Sequence, residues 1–309
     1  MTIETIAVTG GNGKIGEAIL DHLSDYNYET VNVARGKQRE DISDRYVTTD
    51  LLDAGETYGA LAKYGADAVV HMGTIPDPYS NPDFRVYESN VLSAVHVLGA
   101  ADELGLESVC LASSINALGS EHQERPADVR YIPVNESHPR TPDDSYGIAK
   151  HAMEVTADGF GRRPSCDLTI SSLRYPWVTT DAEMREAFVE TDRSLDVLCD
   201  VHPATGRNVL FSYLAMADAA SIARKAVEAG FEGRGFASRQ ATLPGDKSGG
   251  FGQAKKNPAA SCYGVRFPVF WRLLLDKRTL NHKVAQVAVA RFQKTLPVQN
   301  GRRILEHAR

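Results

Sequence analysis

Three glycines spaced three residues apart, Gly10, Gly13 and Gly16, follow a short apolar run from Ile3 to Thr9 and precede a helical pattern from Glu17 to Leu23. Few local sequences constrain a fold more. A tight turn between a buried strand and a helix lets the backbone approach whatever docks there, and the first N–H groups of the helix have no partner within it. The same stretch also reads as G-x-G-x-x-G through Gly11, Gly13 and Gly16. Either spacing, between a strand and a helix, fits a turn that receives the pyrophosphate of a dinucleotide.

The rest of the first 180 residues repeats that rhythm. Thr30 to Ala34, Ala68 to Met72, Ser108 to Ala112 and Leu168 to Leu173 read as strands, with helical stretches such as Val86 to Leu104 and Tyr146 to Gly159 between them. Alternation of this kind predicts an α/β chain with a doubly wound parallel (Rossmann) sheet, whose ligands bind at the carboxyl ends of the strands. Gly10, Asp50, Met72, Ser114 and Pro176 all fall at such ends. No window approaches 18 uncharged apolar residues and no secretory leader is evident, so a cytoplasmic protein without a membrane partner is expected. Cys110, Cys166, Cys199 and Cys262 lack metal-ligand spacing, which reads as reduced thiols and no metal.

Tyr146 and Lys150 stand four residues apart in Ser145-Tyr146-Gly147-Ile148-Ala149-Lys150. On a helix they share one face, and an ammonium beside a phenol favours phenolate, so the spacing predicts a tyrosine pKa below its usual value of about 10.

With the glycine turn and this pair, several further segments carry a resemblance: Asp50-Leu51, His71-Met72-Gly73, Asn90-Val91, Ser113-Ser114-Ile115-Asn116-Ala117-Leu118-Gly119 and Arg174-Tyr175-Pro176. Over roughly residues 3 to 236 the chain resembles an extended short-chain dehydrogenase/reductase, in the epimerase/dehydratase branch that includes sugar epimerases and uronate dehydrogenases. The resemblance implies hydride transfer at a hydroxyl of a sugar, sugar acid or nucleotide sugar. Ser114, five residues before Gly119, would hydrogen-bond the reacting oxygen, Tyr146 would pass the proton, and Lys150 would hold the nicotinamide ribose; Ser113 reads as a structural neighbour. The cofactor would lie on Gly10, Gly13, Lys14, Ile15 and Gly16, with Asp50 and Leu51 at adenine, Met72 and Gly73 beside the ribose and pyrophosphate, Asn90 nearby and Pro176 facing the nicotinamide.

Position 34, where relatives that use NAD often carry an acid, is Ala34, followed by Arg35-Gly36-Lys37. An arginine there tolerates a 2′-phosphate, so NADP is favoured, with NAD as the alternative. Only about forty residues separate Pro176 from the Ser212-to-Asp218 segment that resembles the family's later strand and helix. That is short for enclosing a nucleotide diphosphate, which brings a smaller sugar, sugar acid or lactone into view.

Asp143 and Asp144 read as helix caps, His138 as a loop residue, and Trp177 and Tyr213 as pocket or core. Arg185, Arg193 and Arg207 lie where substrate would be covered. The expected division is a dinucleotide-binding domain over 1–180, a substrate-binding region over 181–236, and a basic segment over 237–309 in which the family pattern is lost. That last segment holds 14 Lys/Arg against 3 Asp/Glu, whereas residues 1–236 hold 20 against 37. It reads as a divergent subdomain, a basic interaction tail or a product of a shifted reading frame. The expected partner is a small sugar-like substrate rather than nucleic acid, with a homodimer open. A non-catalytic sensor of NAD(P) is the alternative to an enzyme, although a sensor would need only the glycine turn.

Overall fold

The computed structural model describes residues 3–39, 42–124, 127–131, 134–163, 166–188, 212–229, 235–240, 298–299 and 302–303. Strand β1 (Thr5–Thr9) is buried along its whole length; Ile6 and Val8 enter one core and Ala7 the other. A strand covered on both faces has to be apolar in this way. Strands β2 (Glu29–Ala34), β3 (Arg45–Thr48), β4 (Ala68–His71), β5 (Ser108–Ser114) and β6 (Thr169–Tyr175) follow in the chain. Short strands β7 (Trp177–Thr179) and β8 (Tyr213–Ala215) pair with each other, and β9 (Gly235–Gln240) returns to the main sheet.

The main sheet has seven strands among the described residues, in the order β3-β2-β1-β4-β5-β6-β9, and every pairing is parallel. Chain direction across the sheet reverses between β1 and β4. At such a point two connections leave in opposite directions and a crevice opens beyond the strand ends. Helices α2 (Ala54–Lys63), α3 (Asp83–Leu104) and α4 (Ser145–Gly161) pack on one face through Leu61, Leu98 and Phe160. Helix α1 (Lys14–Ser24) covers the other face, with α5 (Asp181–Phe188) beyond β7 and α6 (Met216–Glu228) beside α1; Leu20, Leu23, Ala219 and Ala223 share that core.

The sheet is thus the doubly wound one expected. Strand β3 and helix α2 are among the elements that the apolar pattern missed. Strand β3 is a four-residue edge with exposed ends, and α2 carries Gly55 and Gly59 in its sequence but is started by the Asp53 carboxylate, which accepts the Glu56 N–H at 2.8 Å. Strand β9 runs through position 237, so the first residues of the basic segment belong to the sheet. Beyond it only β10 (Val298–Gln299) and β11 (Arg302–Arg303) are described, as an antiparallel pair. Most of 237–309 lies outside the described residues, as do Arg193, Arg207, Cys199 and Cys262. No helix among the described residues is long and apolar enough to cross a membrane.

Candidate active site

The glycine turn is shaped by contacts that only glycine permits. Gly10 has φ 68°, and a side chain there would lie 2.7 Å from the Cα of Gly73. A side chain on Gly16 would run into the carbonyl oxygen of Gly10, which already accepts the Gly13 N–H at 2.9 Å. These backbone-on-backbone approaches fix the register as Gly10, Gly13 and Gly16, whereas Gly11 sits against the side chains of Asn32 and Leu20. Gly13 precedes helix α1 without a side-chain cap, which leaves the first N–H groups of the helix without a side-chain partner, a chemistry suited to an anion. Asn12 braces the turn, donating to the Arg35 carbonyl at 3.1 Å and accepting from Asn32 at 3.0 Å. This cradle fits a pyrophosphate.

Around it, Arg35 is exposed just past β2. Asp50 is exposed beyond β3, and Leu51 packs its side chain toward Gly73 while its carbonyl takes the Nδ1 of His96 at 2.9 Å. Met72 and Gly73 leave β4 across a buried relay. Gly73 N–H donates to Thr9 Oγ1 (3.2 Å), Thr9 contacts His71 Nδ1 (2.8 Å), and His71 Nε2 contacts Ser93 Oγ (3.3 Å), which donates to the Asn90 carbonyl. Burial holds His71 neutral, its pKa pushed down to about 3. The Asn90 amide is engaged on both sides by Ile75, accepting its N–H at 2.7 Å and donating to its carbonyl at 3.0 Å. Asn90 therefore ties α3 to the loop after β4.

Helix α4 brings Tyr146 and Lys150 to the end of β5. Its cap is Asp144, whose carboxylate accepts the Gly147 N–H at 2.8 Å; neighbouring Asp143 is exposed. Tyr146 is 8% exposed and Lys150 is 2% exposed. The Lys150 ammonium donates to the Ala112 carbonyl (2.6 Å) and to Thr74 Oγ1 (3.0 Å), and lies 5.4 Å from the centre of the Tyr146 ring. Ser114 accepts the Asn116 N–H at 3.1 Å and stands close enough to Tyr146 to pull its pKa down.

The shift at Tyr146 runs opposite to the one expected from spacing. Burial raises the Tyr146 pKa above its ordinary value; Ser114 opposes the shift, and Glu121, Asp144 and Asp77 add to it. Burial also lowers Lys150 to about 7, against a smaller upward pull from Glu154. Four-residue spacing secures adjacency, but desolvation disfavours both charged forms and outweighs the attraction between them.

One turn further along the same helix lies a group that the sequence reading did not single out. Glu154, 1% exposed, accepts from Arg174 Nε (2.8 Å) and Nη2 (2.7 Å) and from Ser113 Oγ (2.6 Å), with Arg140 at 3.5 Å. Burial pushes this carboxyl up, yet the bonds and charge of Arg174, helped by Ser113 and Arg140, leave it below its usual value. Ser113 is thus part of the support, as expected.

Pro176 is buried where β6 passes into β7, and Trp177 and Tyr213 are half-buried partners across β7 and β8. Lys14 points to α5, gripping both oxygens of Glu183 at 2.5 and 2.6 Å. Lys14, with the Thr180 N–H and Thr179, lowers Glu183 to about 2. Arg185 is exposed on α5. His138 is a satisfied loop residue, accepting the Arg130 N–H at 3.0 Å with its other nitrogen on the Pro139 carbonyl. Cys110 is buried, its thiol pushed up to about 12 and unreactive. Among the described residues no cluster of His, Cys, Asp and Glu could hold a metal. Thr74, His122, Glu154 and Glu183 had no signal in the sequence, because each reaches the site through the fold.

The sequence profile described as the NAD dependent epimerase/dehydratase family matches residues 6–179. The chain belongs to that family. Among similar proteins is the NAD-dependent glucose-6-phosphate dehydrogenase of Haloferax volcanii, 31% identical over 169 residues, a match covering 49% of this chain and 61% of that one. The chain thus spans less than two thirds of that curated relative. A solved UDP-glucose 4-epimerase from Brucella ovis in complex with NAD has a TM-score of 0.60 at 21% identity, covering 77% of this chain and 77% of that one. A structure described as a mutated uronate dehydrogenase has a TM-score of 0.55 at 20% identity, covering 78% of this chain and 75% of that one. Likeness to these structures shows the shared fold.

Proposed function

We propose that the chain is an NAD(P)-dependent enzyme that transfers a hydride at a hydroxyl of a sugar, sugar acid or nucleotide sugar, as a dehydrogenase or an epimerase. One observation carries this reading: Ser114, Tyr146 and Lys150 converge at the end of β5, beside a glycine cradle at the switch point of the sheet. When bound, the nicotinamide would supply or accept the hydride. Ser114 would hold the reacting oxygen, and Tyr146, kept protonated by burial, would give that oxygen its proton in the reducing direction. Lys150, near 7, would orient the ribose and take up or release charge close to neutral pH. Gly10, Gly13, Lys14, Ile15, Gly16, Asp50, Leu51, Met72, Gly73 and Pro176 would line the cofactor, with Asn90 holding the loop after β4.

At Arg35 a 2′-phosphate would be accepted and NADP favoured, although several relatives are described with NAD. A homodimer and a cytoplasmic setting belong to the same proposal. Replacing Tyr146 by Phe should lower turnover by about 100-fold or more, within the range for a lost general acid or base, while fluorescence titration shows cofactor binding retained. Near-normal turnover in that variant would sink the reading. Net consumption of free cofactor would mark a dehydrogenase, and bound cofactor recycled without net change an epimerase.

A further inference from the structure

We infer that Tyr79 and His122 form the wall on which a neutral hydroxylated ring docks beside Tyr146, with His122 as the residue that selects it. The inference rests on the function proposed above and narrows its substrate class. The His122 ring stands edge-on to Tyr146, with centroids 5.7 Å apart at 69°, and edge-on to Tyr79, at 5.3 Å and 84°. The three rings make a continuous line from the reacting phenol outward. Tyr79 is 75% exposed, yet its turn is braced: Asp77 accepts the Tyr79 N–H (2.8 Å), the Ser80 N–H (2.7 Å) and the Ser80 hydroxyl. An exposed aromatic on a braced turn offers a flat apolar surface suited to the C–H face of a sugar ring.

The His122 loop is tied to the same chemistry. Asn116 Oδ1 accepts from Ser120 Oγ (2.8 Å) and from the Glu121 N–H (2.7 Å), and the Asn116 N–H donates to Ser114. His122 Nδ1 is buried without a hydrogen-bond partner among the described residues. Buried polar atoms are rarely left unpaired, and a ligand hydroxyl next to Tyr146 would complete this one. Charge sharpens the choice of ring. Asp77, Glu121 and Asp144 all act electrostatically on Tyr146, so a substrate carboxylate or diphosphate on this wall meets like charge, whereas a neutral ring does not.

The test measures kcat and KM at saturating cofactor for D-glucose and D-galactose against D-glucuronate, D-galacturonate and UDP-glucose. The unmodified protein should have its highest kcat/KM for a neutral sugar. His122→Phe keeps the edge contacts and removes the nitrogen; it should raise the KM of that sugar about fivefold to tenfold, on the scale of one hydrogen bond, with kcat and the cofactor Kd unchanged. His122→Asn should restore part of the loss. Tyr79→Ala, at an exposed site where folding is not at stake, should also raise KM. Preference for a uronate or for UDP-glucose overturns the inference, as does an unaltered KM in both His122→Phe and Tyr79→Ala. Turnover retained in Tyr146→Phe, or absent across the whole panel, rejects the proposed function itself; an inert Tyr146→Phe with unaltered wall variants rejects the wall alone.

Discussion

The glycine turn and the inner face of α4 border one crevice, but they work by different physics. The turn acts through backbone shape and sits near solvent: its charged neighbours, Arg35, Asp50 and the Lys14–Glu183 pair, are exposed or half-exposed. The α4 face acts through burial, with Tyr146, Lys150 and Glu154 almost wholly removed from water. Removing one charge should therefore have a large effect on the α4 side and a small one at the turn, because solvent screens an exposed pair and leaves a buried ion uncompensated.

The largest effect is expected at Glu154. Glu154→Gln leaves Arg174, fully buried, without its counter-charge, and breaking such a pair costs about 3–5 kcal/mol of stability. Urea unfolding followed by circular dichroism measures it, and a loss below about 1 kcal/mol would erase the contrast between the two regions. Pairing it with Arg174→Met should recover most of the loss. Glu154 also pulls Lys150 upward, so in the single variant Lys150 should titrate still lower than about 7. The pH sign follows from the lowered Glu154 pKa: its contribution is present above the ordinary carboxyl value of 4.5 and is lost as pH falls through the lower folded value.

These contrasts also explain what could be read without a fold. Gly10, Gly13 and Gly16 were legible because strand, turn and helix are local, and Tyr146 and Lys150 because a helix puts i and i+4 together. The direction of the Tyr146 shift was not legible, since it depends on how far the end of β5 and the 116–122 loop close around the ring. Lys150 meets Thr74 across 76 residues and Ala112 across 38, and Arg174 on β6 meets Glu154 on α4 across 20. The choice between the two glycine registers waited for Gly73 to arrive from β4.

An intermediate effect is expected at Arg35. If its guanidinium reads a 2′-phosphate, Arg35→Asp should shift preference from NADP toward NAD by about 2 kcal/mol, the size of one charge-assisted hydrogen bond. Titrating both cofactors into both proteins measures it. Equal affinities in the unmodified protein would remove Arg35 from the selection and leave the turn acting by shape alone.

The smallest effect belongs to Lys14 and Glu183, and its size is informative because of where the pair lies. Strand β6 stands three strands from β1, about 14 Å across the sheet, yet Glu183, seven residues after Pro176, grips the first residue of α1. The segment 177–183 thus reaches back across three strands to the helix that follows the glycine turn. A pair half-exposed on both sides contributes at most about 1 kcal/mol. Glu183→Gln should accordingly speed release of NADH or NADPH by no more than about fivefold, read by stopped-flow fluorescence, without moving the unfolding midpoint appreciably. Because screening weakens exposed charges, added salt should speed release from the unmodified protein and have less effect on the variant. A release rate unchanged by the substitution would mean that the crossing segment bears no load from bound cofactor. A change far above fivefold would mean that the ion pair acts as though buried, and the contrast between the open turn and the closed face of α4 would no longer hold.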